Sequence, residues 1–214
     1  MAKKYNWAIL GCGNIAKKFS TELKDLPNAN LYATASRNIE NAQNFATEFG
    51  FQKAYGSYQE MVEDPKVDVV YIATPHNFHL EHSLLCLKHK KAVLCEKALA
   101  INTKEVAQMI NASKENNTFL IHGAYLPYLK TSNELKTKPV QHSVKELQGL
   151  GIKPDMIVTR NEISITNKER EKISMFCNVP TTHVVESVDL PSVYEVPFKM
   201  KEQNVDAIVA NTLI

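Results

Sequence analysis

Two closely spaced glycines near the start of the chain, Gly11 and Gly13, are followed by Ala16. In the pattern G-x-G-x-x-A the first glycine permits a tight turn, and the second lets backbone amides approach a phosphate without an intervening Cβ. The small third residue lets a helix pack close to a strand. Asn14 and Ile15 begin that helix, whose N-terminus carries a partial positive charge. The pattern predicts a turn that binds the pyrophosphate of a dinucleotide. The alternative is a glycine turn without a ligand.

The end of the second predicted strand carries the next pair of candidate residues, Ser36 and Arg37. An NAD site usually has an acidic residue about 20 positions after the glycines, where it accepts a hydrogen bond from the ribose 2′-hydroxyl. A hydroxyl and a guanidinium at this place suit a 2′-phosphate instead. We therefore expect NADP to be the preferred cofactor, with NAD as a second option. The alternative is an arginine that is merely solvated at a strand end.

These residues need a sheet to position them, and alternating strand-like and helix-like segments predict one. The strand-like runs of the first half are 7–10, 31–35, 67–73, 92–95 and 119–122. The run at 67–73 is β-branched, which is typical of a strand buried on both faces of a parallel sheet. After a lysine-rich stretch at 127–139, the pattern continues with helices at 143–150 and 167–177 and strands at 155–159 and 183–185. We expect an α/β fold with a doubly wound, mainly parallel, Rossmann-like sheet.

The bulk composition is that of an ordinary globular chain. Hydrophobic residues make up 44% of the 214 residues and the formal net charge is +2, so charge favours neither nucleic acid nor an anionic membrane. No apolar run approaches the roughly 20 residues that a membrane helix needs. The four cysteines lack metal-ligand spacing. We expect a cytoplasmic protein with reduced thiols, no metal, an unknown small-molecule substrate, and no nucleic-acid or membrane partner. The composition leaves open whether the protein forms a homo-oligomer.

Three further stretches accompany the glycine pattern: KAYGSY at 53–58, IATPHNFH at 72–79 and AVLCEKA at 92–98. With these stretches, residues 1–121 resemble the Rossmann domain of the Gfo/Idh/MocA oxidoreductases, and within that family the dihydrodiol dehydrogenase-like branch. The resemblance implies a nicotinamide dinucleotide as the cofactor and places three residues beside its nicotinamide ribose: Thr74, Pro75 and His79.

The same resemblance assigns roles to the pair Glu96 and Lys97. It implies that they end the fifth strand at the cofactor, with Lys97 as the catalytic residue that polarises or protonates the substrate oxygen. The family motif at this point is usually E-K-P, whereas Ala98 replaces the proline in this chain. The alternative for the pair is a salt bridge on the protein surface.

From residue 121 onward the chain resembles a different protein, the C-terminal part of the CTP synthase amidoligase domain. The matching stretches are 128–147, 151–155, 170–173 and 176–179. The resemblance implies that Lys136, Gln141 and Lys172 contact UTP or CTP at a subunit interface. Val140 stands where that family usually has threonine, and Asn133 where it usually has glycine. The alternative is a basic, solvated loop.

The chain is therefore interpreted as a chimera of an NAD(P)-binding domain at 1–121 and a CTP synthase-like segment at 122–214. The strand at 119–123 lies where both parents would place a parallel strand, which predicts one extended three-layer sheet; two docked lobes are the alternative.

Function depends on how much of each parent enzyme is represented. The sequence has no G-x-x-x-x-G-K-[ST] phosphate loop and no glutaminase segment, so we expect no CTP synthase activity. The oxidoreductase half lacks the family's substrate domain. We expect a dinucleotide-binding oxidoreductase-type module with little or no turnover. The alternatives are a non-catalytic chimeric fold and a residual module that binds UTP or CTP.

Overall fold

A computed structural model of the chain describes residues 4–114 and 118–213. The chain divides into two units, Met1–Asn116 and Asn117–Ile214, each with its own sheet and hydrophobic core. Within the described ranges, no helix combines the length and the apolar composition that a membrane crossing requires.

The first unit alternates strands and helices along the chain. Its strands are β1 (Tyr5–Leu10), β2 (Ala29–Ala35), β3 (Lys53–Tyr55), β4 (Val69–Ile72) and β5 (Ala92–Cys95). Its helices are α1 (Asn14–Leu23), α2 (Ile39–Phe49), α3 (Tyr58–Glu63), α4 (His79–Lys88) and α5 (Thr103–Lys114). The strands pair in parallel in the order β3-β2-β1-β4-β5. The strands β2 and β3 thus lie on one side of β1, and β4 and β5 lie on its other side.

Both faces of this sheet are covered, as the strand β1 shows. Successive side chains of a strand point to opposite faces. Leu10 packs in one buried cluster with Met61 of α3, whereas Ile9 packs in the opposite cluster with Ala16 of α1 and Phe45 of α2. The doubly wound parallel sheet predicted for this half is confirmed.

The second unit contains a smaller sheet. Its strands are β6 (Ile121–Tyr125), β7 (Tyr128–Leu129), β8 (Glu134–Leu135), β9 (Met156–Asn161) and β10 (Val184–Val188). Its helices are α6 (Lys138–Gly149), α7 (Asn167–Cys177), α8 (Val196–Glu202) and α9 (Val205–Leu213). Three strands pair in parallel in the order β10-β9-β6, and β7 and β8 form an antiparallel hairpin. The core joins the sheet to α6 and α7 through residues such as Ile157, Val144 and Ile173.

The lysine-rich stretch is more regular than its sequence indicated. Residues 128–135 form the hairpin, and α6 begins at Lys138 rather than near 143. Pro139 lies in the first turn of α6, where proline is tolerated because the amides of that turn have no partner within the helix. The helix predicted at 167–177 is confirmed, and a reciprocal capping box between Thr166 and Glu169 defines its start.

The prediction of a single sheet across both halves is wrong. The strand expected to be shared is β6, which pairs with β9 from Ile121 opposite Met156 to Tyr125 opposite Arg160. Among the described strands β6 has no second partner, and β5 pairs with β4 alone. Ile121 and Tyr125 are 44% and 55% exposed, whereas an interior strand of a doubly wound sheet is buried on both faces. The alternating burial of β6 therefore suits an edge strand of a separate sheet.

Candidate dinucleotide site

The turn after β1 requires glycine at its first position. Gly11 has φ +98°, and a Cβ built there would lie 2.9 Å from Cγ2 of Thr74 in the loop after β4. The Gly11 amide donates to the Ala35 carbonyl oxygen at 3.0 Å. A side chain at Gly11 would therefore meet both an unfavourable backbone conformation and a steric clash. The turn lies close to the ends of β2 and β4.

The second glycine leaves space in front of a helix. Gly13 precedes α1, and a Cβ built on it would meet no atom within 4 Å. No side chain caps α1 and its first turn has no acidic residue, although α2 is capped by Asn38, which accepts from the Glu40 amide at 2.8 Å. The first amides of α1 lack partners within the helix and carry partial positive charge. This open helix start fits an anionic group such as a pyrophosphate.

Arg37 lies beside an aromatic ring. Its Cζ is 5.9 Å from the centroid of the Phe78 ring, a geometry typical of a cation–π contact. In the described part of the chain Arg37 forms no ion pair. It lines a cleft of about 660 Å³ together with Tyr58 and His82. The neighbouring Ser36 continues the sheet, because its amide donates to the Tyr55 carbonyl oxygen at 3.1 Å.

Sequence reasoning did not single out His82, which holds the side chain of Thr74. Its Nδ1 lies 2.9 Å from Thr74 Oγ1, and its ring contacts Phe78 and Tyr58 at centroid distances of 5.8 and 4.9 Å. Burial lowers the pKa of His82 below its ordinary value, because a charged ring would be desolvated there. The available sequence signal was its spacing from His79, which places both histidines on one face of α4.

His79 lies inside the protein, between two loops. Its ring is 1% exposed, with Nε2 2.7 Å from the Thr74 carbonyl oxygen and Nδ1 2.8 Å from that of Ala98. Pro75 is exposed in the same loop, at the start of a short 3₁₀ turn. The predicted contacts of Thr74, Pro75 and His79 with a nicotinamide ribose stay predictions. The observed contacts of His79 are with the backbone.

Glu96 and Lys97 follow β5 at the same sheet edge. Glu96 accepts from the hydroxyl of buried Tyr71 and from the Lys97 amide, the latter at 3.1 Å. Burial, and then the hydrogen bond to Glu96, raise the pKa of Tyr71 above its ordinary value. Lys97 is exposed, and no Glu96–Lys97 ion pair occurs among the described side chains. The structure thus holds Glu96 through Tyr71 rather than through a surface salt bridge.

The candidate residues of the first unit share one edge of the sheet. They follow the carboxyl ends of β1, β2, β4 and β5, and the chain reverses its direction of growth between β1 and β4. Open α/β sheets bind ligands at this kind of switch point, outside the carboxyl ends of the strands. Residues scattered between 11 and 97 are therefore brought together by topology.

The proposed uracil-nucleotide residues lie in the second unit. The ammonium of Lys136 pairs with Glu134, and Gln141 donates to Thr137 Oγ1 at 3.1 Å. Lys136 precedes α6 and Gln141 lies in its first turn. Lys172 is exposed on α7, which packs against α6. Their contact with UTP or CTP stays a prediction.

The fold and the glycine turn define the class of the first unit, a Rossmann-type nucleotide-binding domain. Residues 5–124 match the Gfo/Idh/MocA model, described as an oxidoreductase family with an NAD-binding Rossmann fold. Residues 95–214 match the model of the CTP synthase N-terminus. Each model covers more than half of the chain, so the chain belongs to the Gfo/Idh/MocA oxidoreductase family in its first part and to the CTP synthase family in its second.

Individual relatives come from the same two families. Trans-1,2-dihydrobenzene-1,2-diol dehydrogenase of Danio rerio is 40% identical over 144 residues, covering 66% of this chain and 43% of the relative. CTP synthase of Methanosphaera stadtmanae is 48% identical over 108 residues, covering 50% of this chain and 20% of the relative. Levoglucosan dehydrogenase in complex with NADH superimposes with a TM-score of 0.53 at 28% identity, covering 55% of this chain and 34% of that chain. The chain thus spans less than half of these proteins.

Proposed function

We propose that the first unit binds a nicotinamide dinucleotide across the turn at 11–16 and prefers NADP to NAD. The observation that carries the proposal is the uncapped start of α1 behind Gly13, where a side chain would meet no atom within 4 Å. The match to an NAD-binding family gives the same cofactor class. The preference for NADP rests on Ser36 and Arg37, which stand where an acidic residue would accept from the 2′-hydroxyl.

The residues at the carboxyl ends of the strands are assigned the following roles. The amides of Asn14 and Ile15 bind the pyrophosphate, and the Arg37 guanidinium, held over Phe78, binds the 2′-phosphate. Thr74 and Pro75 line the nicotinamide ribose, and the bound dinucleotide supplies a hydride donor or acceptor. Lys97 presents its ammonium to the substrate oxygen and donates a proton there.

Replacing Arg37 with aspartate tests the cofactor preference. We expect Arg37→Asp to weaken NADP binding by about 10- to 100-fold, because a charge-assisted hydrogen bond is lost and a repulsive charge is added. NAD binding should change little. Calorimetric titration of both cofactors measures this, with Arg160→Asp as the control, since Arg160 is an exposed arginine of the second unit. An unchanged NADP affinity in Arg37→Asp would remove Arg37 from the site.

We further propose that this chain shows little or no turnover. Lys97 is the residue of the proposed site that is assigned to proton transfer. The support for low turnover is that the part of the chain after the Rossmann domain matches the CTP synthase N-terminus and not an oxidoreductase substrate domain. Nicotinamide absorbance, followed with NADPH and a panel of aldehydes and ketones, measures turnover. Steady consumption of NADPH that disappears in Lys97→Ala would show that the chain is an active oxidoreductase and would overturn this proposal.

A further inference from the structure

Arg37 contacts an aromatic ring rather than an acidic side chain. Its guanidinium Cζ lies 5.9 Å from the centroid of the Phe78 ring. Glu81 lines the same cleft, yet within the described ranges Arg37 takes part in no ion pair. A carboxylate would occupy the N–H donors of the guanidinium, whereas the face of a phenyl ring attracts the cation and leaves those donors free. Phe78 thus restrains the arginine without using the groups that a phosphate needs.

The position of the Phe78 ring is set by contacts within the protein. Phe78 ends the 3₁₀ turn His76–Phe78, where its amide donates to the Pro75 carbonyl oxygen at 2.9 Å. Its ring stacks on that of His82, with the centroids 5.8 Å apart and 22° between the planes. His82 is fixed in turn, because its Nδ1 lies 2.9 Å from Thr74 Oγ1. Arg37 therefore rests on a ring that two further residues restrain.

The rings around Arg37 carry no competing charge. Burial lowers the pKa of His82, so that its imidazole is neutral at neutral pH. The Tyr58 ring meets His82 edge-on at 4.9 Å, and burial raises the pKa of the Tyr58 hydroxyl, which stays protonated. Glu81 and Lys88 line the same cleft, but both are exposed and their charges are opposite. The positive charge of Arg37 is therefore not neutralised by a partner.

We propose that Phe78 is a specificity-determining residue, which positions Arg37 for the 2′-phosphate and thereby favours NADP over NAD. NAD has a hydroxyl in place of this phosphate, so the orientation of the guanidinium matters little for its binding. An arginine loses rotamer freedom when it binds a phosphate, and a ring that already restrains it lowers that cost. For the identity of the ligand this inference rests on the proposed function. Phe78 acts through Arg37 and has no assigned contact with the cofactor.

The ratio of the two cofactor affinities tests this role. Phe78→Leu keeps an apolar side chain but removes the ring face, so we expect NADP to bind about three- to fivefold more weakly while NAD binding stays unchanged. Phe78→Tyr retains the ring face and should bind both cofactors as wild type does. Phe176→Leu removes an exposed ring of the second unit and is the matched control. Calorimetric titration of each variant with both cofactors measures the ratio.

A double-mutant cycle shows whether Phe78 acts through Arg37. In an Arg37→Gln background, Phe78→Leu should cause no further loss of NADP affinity, because the guanidinium that the ring positions is absent. A full additional loss in that background would overturn the inference. Equal losses of NADP and NAD in Phe78→Leu would also overturn it, since they would indicate a contact with the part that both cofactors share. An unchanged ratio in Phe78→Leu would have the same meaning.

Proton NMR without cofactor separates the ring contact from the proposed function. The ring current of Phe78 should shift the side-chain protons of Arg37 upfield from their values in an unfolded peptide, and Phe78→Leu should abolish this shift. A wild-type protein that shows the shift but binds neither cofactor would overturn the proposed function, and the specificity role with it. A wild-type protein that binds NADP but lacks the shift would retain the proposed function and overturn the role of Phe78.

Discussion

The two units use the same architecture, parallel strands followed by helices, but differ in how their polar residues are arranged. In the first unit the candidate residues collect at the carboxyl ends of four strands, around a helix start that no side chain caps. In the second unit Lys136 is paired with Glu134, Gln141 is bonded to Thr137, and Lys172 stands exposed on a different helix. A parallel α/β fold thus offers a candidate site where its topology leaves backbone amides without partners at the sheet edge.

The units also differ in the apolar surface that they expose. Met175, Phe176, Tyr194 and Phe198 of the second unit are between 56% and 83% exposed. At the candidate site of the first unit Ile15 is 42% exposed, and the highest exposure of a large apolar residue described in that unit is 55%, at Ile101. The second unit therefore exposes more of its largest apolar side chains than the first.

The largest effect on cofactor binding is expected at the turn, where substitutions of the two glycines should have different consequences. Gly13→Val should weaken NADPH binding by about 100-fold, corresponding to about 2.8 kcal/mol, because its side chain would fill the space in front of α1. The free energy of unfolding should fall by no more than about 1 kcal/mol. Gly13 has φ −86° and a Cβ there meets no atom within 4 Å, so the loss comes from valine being a poorer N-cap than glycine. Calorimetric titration and denaturant unfolding measure the two quantities.

Gly11→Ala should instead lose both binding and stability. The strained φ of +98° and the 2.9 Å approach to Thr74 should cost about 1–3 kcal/mol in the free energy of unfolding. Gly149→Ala, in the second unit, adds a Cβ into open space and serves as the control. If Gly13→Val bound NADPH as wild type does, the helix start would not be the pyrophosphate site.

An effect on stability alone is expected at Asp64, in the loop between α3 and β4. Its Oδ2 accepts from Lys53 at 2.7 Å, Tyr55 at 2.6 Å and Tyr32 at 2.8 Å. Although burial acts to raise the pKa of Asp64, these hydrogen bonds hold it well below its ordinary value. Asp64→Asn should therefore destabilise the first unit by about 1–3 kcal/mol at neutral pH, without changing NADPH affinity.

The contribution of Asp64 to the free energy of unfolding should decrease in acid. Because the folded pKa is depressed, the stabilisation is present above the unfolded pKa of about 3.9 and is lost as the pH falls through the folded value. Unfolding curves of wild type and Asp64→Asn should converge in acid, while Asp25→Asn, at an exposed position, stays close to wild type throughout. A constant difference between wild type and Asp64→Asn down to the acid limit would contradict the ionic role of Asp64.

The sequence predicted features that depend on local spacing. The glycine turn, the doubly wound sheet of the first half and the helix at 167–177 follow from short-range patterns, because their requirements are met within a few residues. The partner of β6 could not be predicted in this way, since strand pairing depends on which edge is free in three dimensions. The two contacts of His79 were also missed, because a backbone carbonyl has no sequence signature.

Hydrogen exchange with and without saturating NADPH tests whether the turn at 11–16 is the cofactor site. Binding at the proposed site should slow exchange at residues 11–16, 36–37 and 96–98, because ligand contacts close the amides that the turn leaves open. No protection is expected at 136–141 or 156–161, and Lys172→Ala should give the same pattern as wild type. We predict that protection is confined to the first unit and is lost in Gly13→Val. Absence of protection at 11–16, or protection that appears at 136–141 instead, would contradict it.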